Sequence, residues 1–133
     1  MMTKSHPIHV YDERTVASAV LEATVVTRQA GFSPIAVQQV ATVTSELARN
    51  IIKYAGRGQV KLEPIEKDGR LGILVVASDR GPGIEDIDQA MAEHYSSGGT
   101  LGLGLSGAKR MMDDFVVTSQ PGEGTRVEAL KWR

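Results

Sequence analysis

The run Leu71-Gly72-Ile73-Leu74-Val75-Val76-Ala77-Ser78 constrains the chain most, because it ends on an acid followed by a glycine-proline-glycine turn, Asp79-Arg80-Gly81-Pro82-Gly83-Ile84. A short apolar run bounded by turn residues reads as a buried strand. Asp79 therefore stands where a buried strand runs out, which holds a carboxylate rigidly. Gly81 and Gly83 carry no Cβ, so the backbone can turn sharply there and a flat ring can approach it. A Pro-Gly pair by itself marks only a turn, so the weight of this stretch depends on what the rest of the chain sets beside it.

The elements before it alternate in type. Ile8 to Tyr11 reads as a short strand. Asp12 is a helix N-cap, Glu13 supports the first turn, and Val16, Val20, Ala23, Thr27 and Ala30 recur at helical spacing until Gly31 ends the run. Ser33-Pro34 opens a second helix, whose buried stripe is Val37, Val40, Thr44, Leu47 and Ile51. At 100° per residue, Glu46 and Asn50 fall on one edge of that stripe, with Gln39 and Lys53 beside them. A polar edge of this kind frames a cavity or marks the waterline of a surface helix. Gly56 and Gly58 end the helix. Gln59 to Glu66 is a strand, Lys67-Asp68-Gly69-Arg70 a hairpin turn, and Leu71 to Ser78 the returning strand.

Beyond Ile84, Ile87 and Met91 sustain a short helix, and Glu93 to Thr100 reads as an aperiodic loop. Leu101-Gly102-Leu103-Gly104-Leu105-Ser106-Gly107 then opens a helix with buried positions Leu105, Ala108, Met111, Met112 and Phe115. Glycines at a helix N-terminus leave N–H groups free at the positive end of the dipole, which suits phosphates. Phe115 to Ser119 and Thr125 to Trp132 are strands joined by the turn Gln120-Pro121-Gly122-Glu123-Gly124.

Gly102-Leu-Gly104-Leu-Ser-Gly107 has the letters of a dinucleotide fingerprint but not its setting: a loop precedes it where a strand is required, and only 26 residues follow. The Walker pattern and the glycine loop and His-Arg-Asp features of ordinary protein kinases are absent. Without cysteine there is no thiol catalysis or thiolate metal site, and no third ligand joins His6 and His9. With 15 basic and 16 acidic residues and no basic stripe, nucleic acid is not the expected partner. No window reaches the ~20 apolar residues of a membrane span, and no secretory leader is visible. The expectation is one soluble cytoplasmic domain, residues 1–133.

Four parts remain, in fixed order: Glu46-xxx-Asn50 on a helix, Asp79-x-Gly81-x-Gly83 after a strand, Gly102-x-Gly104 at a helix start, and Gly124-Thr125 at a strand start. Together they resemble the Bergerat ATP-binding fold of gyrase, Hsp90, sensor histidine kinases and MutL. Within it, Ser45-Glu46-Leu47-Ala48-Arg49-Asn50-Ile51, Tyr54-Ala55-Gly56, Gly122-Glu-Gly-Thr125 and the ending Lys131-Trp132-Arg133 are similar to the small bacterial serine-protein kinases of stressosome-type partner-switching modules. The resemblance implies an α/β (α+β) two-layer sandwich with a mixed, mostly antiparallel sheet and helices on one face. It implies ATP and Mg²⁺, with Glu46 as the catalytic carboxylate and Asn50 as the metal ligand. Asp79 would read the adenine amino group, with Thr125 at the same end. Gly102 and Gly104 would hold the phosphates under a lid of residues 93 to 101, and Lys53, Gly81, Gly83, Ile84, Gly99, Thr100, Leu101, Leu103 and Leu105 complete the nucleotide-binding set. The implied acceptor is a serine or threonine on a STAS-domain antagonist protein, and the implied second partner a PP2C-type phosphatase. The alternatives are an anti-sigma factor with kinase activity that holds a sigma factor, and a nucleotide-gated adaptor without transfer activity.

Overall fold

The computed structural model describes residues 7–83 and 104–133. Its elements are β1 (Ile8–Val10), α1 (Glu13–Gln29), α2 (Pro34–Ala55), β2 (Gly58–Lys67), β3 (Arg70–Asp79), α3 (Gly104–Met111), β4 (Asp114–Gln120) and β5 (Gly124–Trp132). The five strands form one sheet in the order β1-β2-β3-β5-β4, and every pairing is antiparallel. The last strand is inserted between β3 and β4, which leaves β4 at an edge.

Local chemistry sets the element ends. Asp12 Oδ1 accepts the Thr15 N–H at 2.9 Å, and the Thr15 hydroxyl accepts the Asp12 N–H at 3.0 Å, a reciprocal cap at the start of α1. The Asp12 carboxyl is held below its usual range, first by that backbone N–H and then by the Thr15 side chain. Gly31 stands just past the Ala30 cap at φ +83°. Ser33 Oγ accepts the Ala36 N–H at 3.2 Å and Pro34 starts α2. Asp68 and Gly69 both take positive φ, the pair a two-residue hairpin turn needs.

Packing then makes two layers. Alternate residues of the strands, Val60 and Leu62, Ile73, Val75 and Ala77, Val127 and Ala129, share one core with Val40, Val43, Leu47 and Ile51 of α2 and Val16, Ala19 and Ala23 of α1. Leu74 and Leu130 point to the opposite face and are only half-buried. The expected two-layer architecture with helices on one face holds; the sheet, expected to be mixed and mostly antiparallel, is antiparallel at every described pairing. Most strand ends extend about one residue beyond the expected ones, and Phe115, expected both on the third helix and at the start of a strand, falls in the strand alone. The third helix ends at Met111, and Phe115 belongs to β4. The Asp113 N–H bonds Leu130 O at 2.8 Å, which draws the chain into the sheet before another helical turn can form. Among the described residues no helix is long and apolar enough to cross a membrane.

Among the described residues one buried side-chain oxygen is left without a partner. Thr44 is buried but its hydroxyl donates to Val40 O at 2.8 Å. Thr27 is equally buried, and its hydroxyl has no partner. Thr27→Val keeps the shape and removes the unmet polar atom, so it is expected to raise the unfolding free energy by about 1 kcal/mol, read as a higher urea midpoint at unchanged slope.

Candidate functional site

Asp79 is the last residue of β3, a central strand paired on both sides. Its direct cross-strand neighbour on β5 is Thr125. β-Register therefore brings together two residues that are far apart in sequence, and alternation turns both toward the helical layer with Ala77 and Val127. Asp79 Oδ1 accepts the Gly81 N–H at 2.9 Å, which fixes the carboxylate and leaves its second oxygen for a ligand. Two glycines permit this geometry. A Cβ on Gly81 would lie 2.5 Å from the Ala55 side chain at the end of α2. Gly124 takes φ +109°, and a Cβ there would run into the Asp79 carbonyl. Both requirements come from packing of the chain on itself. Gly83 lies against Gln120 in the β4–β5 turn.

From the other layer, the edge of α2 supplies Asn50, half-buried beside Leu47 and Ile51. Leu47, Asn50, Ile51, Tyr54, Ala77, Asp79, Leu105, Thr125 and Val127 line one pocket. Asn50, Asp79, Leu105 and Thr125, from four separate stretches of the sequence, thus meet in one place. Among the described residues its lining is mostly apolar, with Asn50, Tyr54 and Thr125 beside the one carboxylate of Asp79. Among the described residues no group of three or more His, Cys, Asp or Glu side chains is placed to hold a metal.

Glu46 stands one turn before Asn50 and touches α3: its Oε1 accepts the Gly104 N–H at 3.0 Å. Gly104 sits at φ +68°, so a glycine suits this first position of the helix. Lys53 is set apart from these residues. It is exposed, does not line the pocket, and carries its ammonium 5.5 Å from the centre of the Tyr54 ring. Ile84, Gly99, Thr100, Leu101, Gly102 and Leu103, with the helix expected around Ile87 and Met91 and the lid over 93 to 101, lie outside the described residues.

Two contributors were not anticipated. Tyr54 lines the pocket because it follows Asn50 by one turn; that spacing was visible in the sequence. Ser119 sits 3.0 Å, oxygen to oxygen, from the Thr125 hydroxyl and donates to Gly124 O at 3.1 Å. Its signal was weaker: β4 alternation places it on the Phe115 and Val117 face, but only the β4–β5 register sets it opposite Thr125.

Residues 10–131 match the histidine kinase-like ATPase domain family. The chain belongs to that family. It is 45% identical over 107 residues to the serine/threonine-protein kinase RsbT of Bacillus subtilis (strain 168), covering 80% of each chain. It is 30% identical over 102 residues to an anti-sigma F factor of Caldanaerobacter subterraneus subsp. tengcongensis, covering 72% of this chain and 70% of that one. Among solved structures, the RsbU and RsbW domains of Rv1364c from Mycobacterium tuberculosis superimpose with a TM-score of 0.62 at 14% identity, over 96% of this chain and 33% of the other. That last likeness concerns the fold.

Proposed function

We propose that this chain is a cytoplasmic serine/threonine-protein kinase that moves the γ-phosphate of Mg-ATP to a hydroxyl of a STAS-domain antagonist protein, within a partner-switching module that controls a PP2C-type phosphatase. The observation that carries the reading is the meeting of Asn50, Asp79, Leu105 and Thr125 in one pocket, with Glu46 one helical turn away at the start of α3. The 45% identity to RsbT supports the same reading.

The chemistry assigns each group a task. Asp79 accepts a hydrogen bond from the adenine amino group; guanine presents a carbonyl oxygen there, which a carboxylate repels. At the other end, the first N–H groups of α3 have no partner within the helix and face the phosphates. Asn50 offers an amide oxygen at the pocket wall, a donor that fits a hard cation which keeps waters and takes its other ligands from phosphate. Mg²⁺ supplies neutralisation of phosphate charge when bound with the nucleotide. Glu46 takes the proton of the incoming serine or threonine hydroxyl as its oxygen bonds to the γ-phosphorus and the bond to the β–γ bridging oxygen breaks, releasing ADP. Positioning and charge supply most of the acceleration, so few side chains suffice.

The test is transfer of label from γ-labelled ATP to purified STAS-domain proteins. Acid-stable label on a serine or threonine is expected, with loss of at least about 10²-fold in rate for Asn50→Ala. Absence of label on every such substrate contradicts the kinase reading, and unchanged transfer by Asn50→Ala contradicts the metal assignment. The likeness to an anti-sigma F factor supports a second reading, a kinase that also holds a sigma factor. Pull-downs against sigma factor and phosphatase separate the two.

A further inference from the structure

The described part of α3 spans eight residues, a length that is marginal for a helix standing alone. It is held at both ends by side chains of opposite charge. Glu46 accepts the Gly104 N–H at its start, and Lys131 Nζ donates to Met111 O at 2.8 Å at its end. A carboxylate at the N-terminus and an ammonium at the C-terminus both oppose the helix dipole. The exit is tied further to the last strand: the Asp113 N–H bonds Leu130 O at 2.8 Å, and the Trp132 N–H bonds Asp113 Oδ2 at 2.7 Å.

Lys131 breaks the pattern of its own strand. Alternation along β5 puts Thr125, Val127, Ala129 and Lys131 on the face toward the helices. Val127 and Ala129 fill the middle of that face, and a third apolar residue would extend it. A half-buried lysine stands there instead, with its ammonium on a helix-terminal carbonyl. Such a group loses water and side-chain freedom on folding and regains a charge-assisted hydrogen bond at a defined height along α3.

We propose that Lys131 is a positioning residue for the phosphates of the bound nucleotide, acting through α3. The proposal rests on the reading that the start of α3 faces those phosphates. The two ends of the helix then have different fates. Polyphosphate and Glu46 are both anionic and both seek the N–H groups at the start of α3, so nucleotide displaces the Glu46 contact. From that moment the phosphates hold the start of α3 and Lys131 holds its far end, so the fit of phosphates to helix depends on the height at which Lys131 fixes α3. Its effect on ligand affinity is therefore confined to ligands that carry phosphates. Adenosine, gripped by Asp79 at the end of the sheet and lacking phosphates, leaves Glu46 in place and depends little on Lys131.

The test uses the full chain with Lys131→Met, which keeps the apolar stem, and Lys131→Arg, which keeps the charge. Calorimetric titration with ADP and with adenosine is paired with amide hydrogen exchange of Gly107 to Met111 in the nucleotide-free protein. Lys131→Met is expected to weaken ADP about tenfold and adenosine by less than about twofold, and to speed α3 exchange about tenfold, whereas Lys131→Arg stays within about threefold of the parent throughout. A merely structural lysine would weaken both ligands alike, and that result overturns the proposal. Unchanged α3 exchange in Lys131→Met, with ADP still bound by the parent, overturns the positioning role alone. A parent chain that takes up neither ligand overturns the kinase reading and this role with it.

Discussion

Glu46→Ala is expected to slow phosphoryl transfer by about 10²- to 10⁴-fold, the usual contribution of a positioned general base. ADP affinity should stay level or rise, because the carboxylate that competes with phosphate for the Gly104 N–H is gone. The same change removes a helix cap at a cost of about 1 kcal/mol, so a modest fall in thermal stability accompanies the loss of rate. Glu46→Gln separates the two effects. Its amide oxygen still accepts the Gly104 N–H, so stability should return while transfer remains slow. Single-turnover rates with ADP titrations check both arms. A rate within about threefold of the parent for Glu46→Gln would remove Glu46 from the proton transfer.

Asp79→Asn is expected to weaken ATP by roughly 10- to 100-fold, the equivalent of one lost charge-assisted hydrogen bond. The position permits little compensation. Oδ1 already accepts the Gly81 N–H, and the backbone on either side is locked into β3 and against Gly124. An asparagine that keeps its oxygen on Gly81 turns its amino group toward the base and meets another donor there. The same amino group can pair with a guanine carbonyl, so the preference for ATP over GTP should narrow sharply. Competition binding with ATP and GTP reads both numbers. Equal affinity of parent and variant for ATP would show that the base is read elsewhere.

These two residues differ in how openly the sequence announced their surroundings. Asp79 was legible because local chemistry wrote its position: an apolar run, an acid and a glycine turn fix where a strand ends. Capping at Asp12 and Ser33 and the turn at Asp68-Gly69 were legible for the same reason, since each involves neighbours within four residues. The two-layer arrangement followed from the resemblance. What stayed hidden depends on long-range register. Thr125 was expected near Asp79 from the resemblance alone; no pattern in its own stretch says so, because the two meet only through the entry of β5 between β3 and β4. Ser119 joins it only through the β4–β5 pairing. The Glu46 contact with Gly104 and the Lys131 contact with Met111 cross between layers, and no pattern within either stretch encodes them. The end of α3 was overrun because Phe115 continues a helical spacing; the sheet bond at Asp113 outweighed one more turn.

The most direct test is a solved complex of the full chain with ADP and Mg²⁺. The adenine amino nitrogen should lie at hydrogen-bond distance, about 3 Å, from the Asp79 carboxylate, with the phosphates at the start of α3 and Glu46 turned away from Gly104. A purine bound away from the ends of β3 and β5, or phosphates pointing away from α3, would contradict the account.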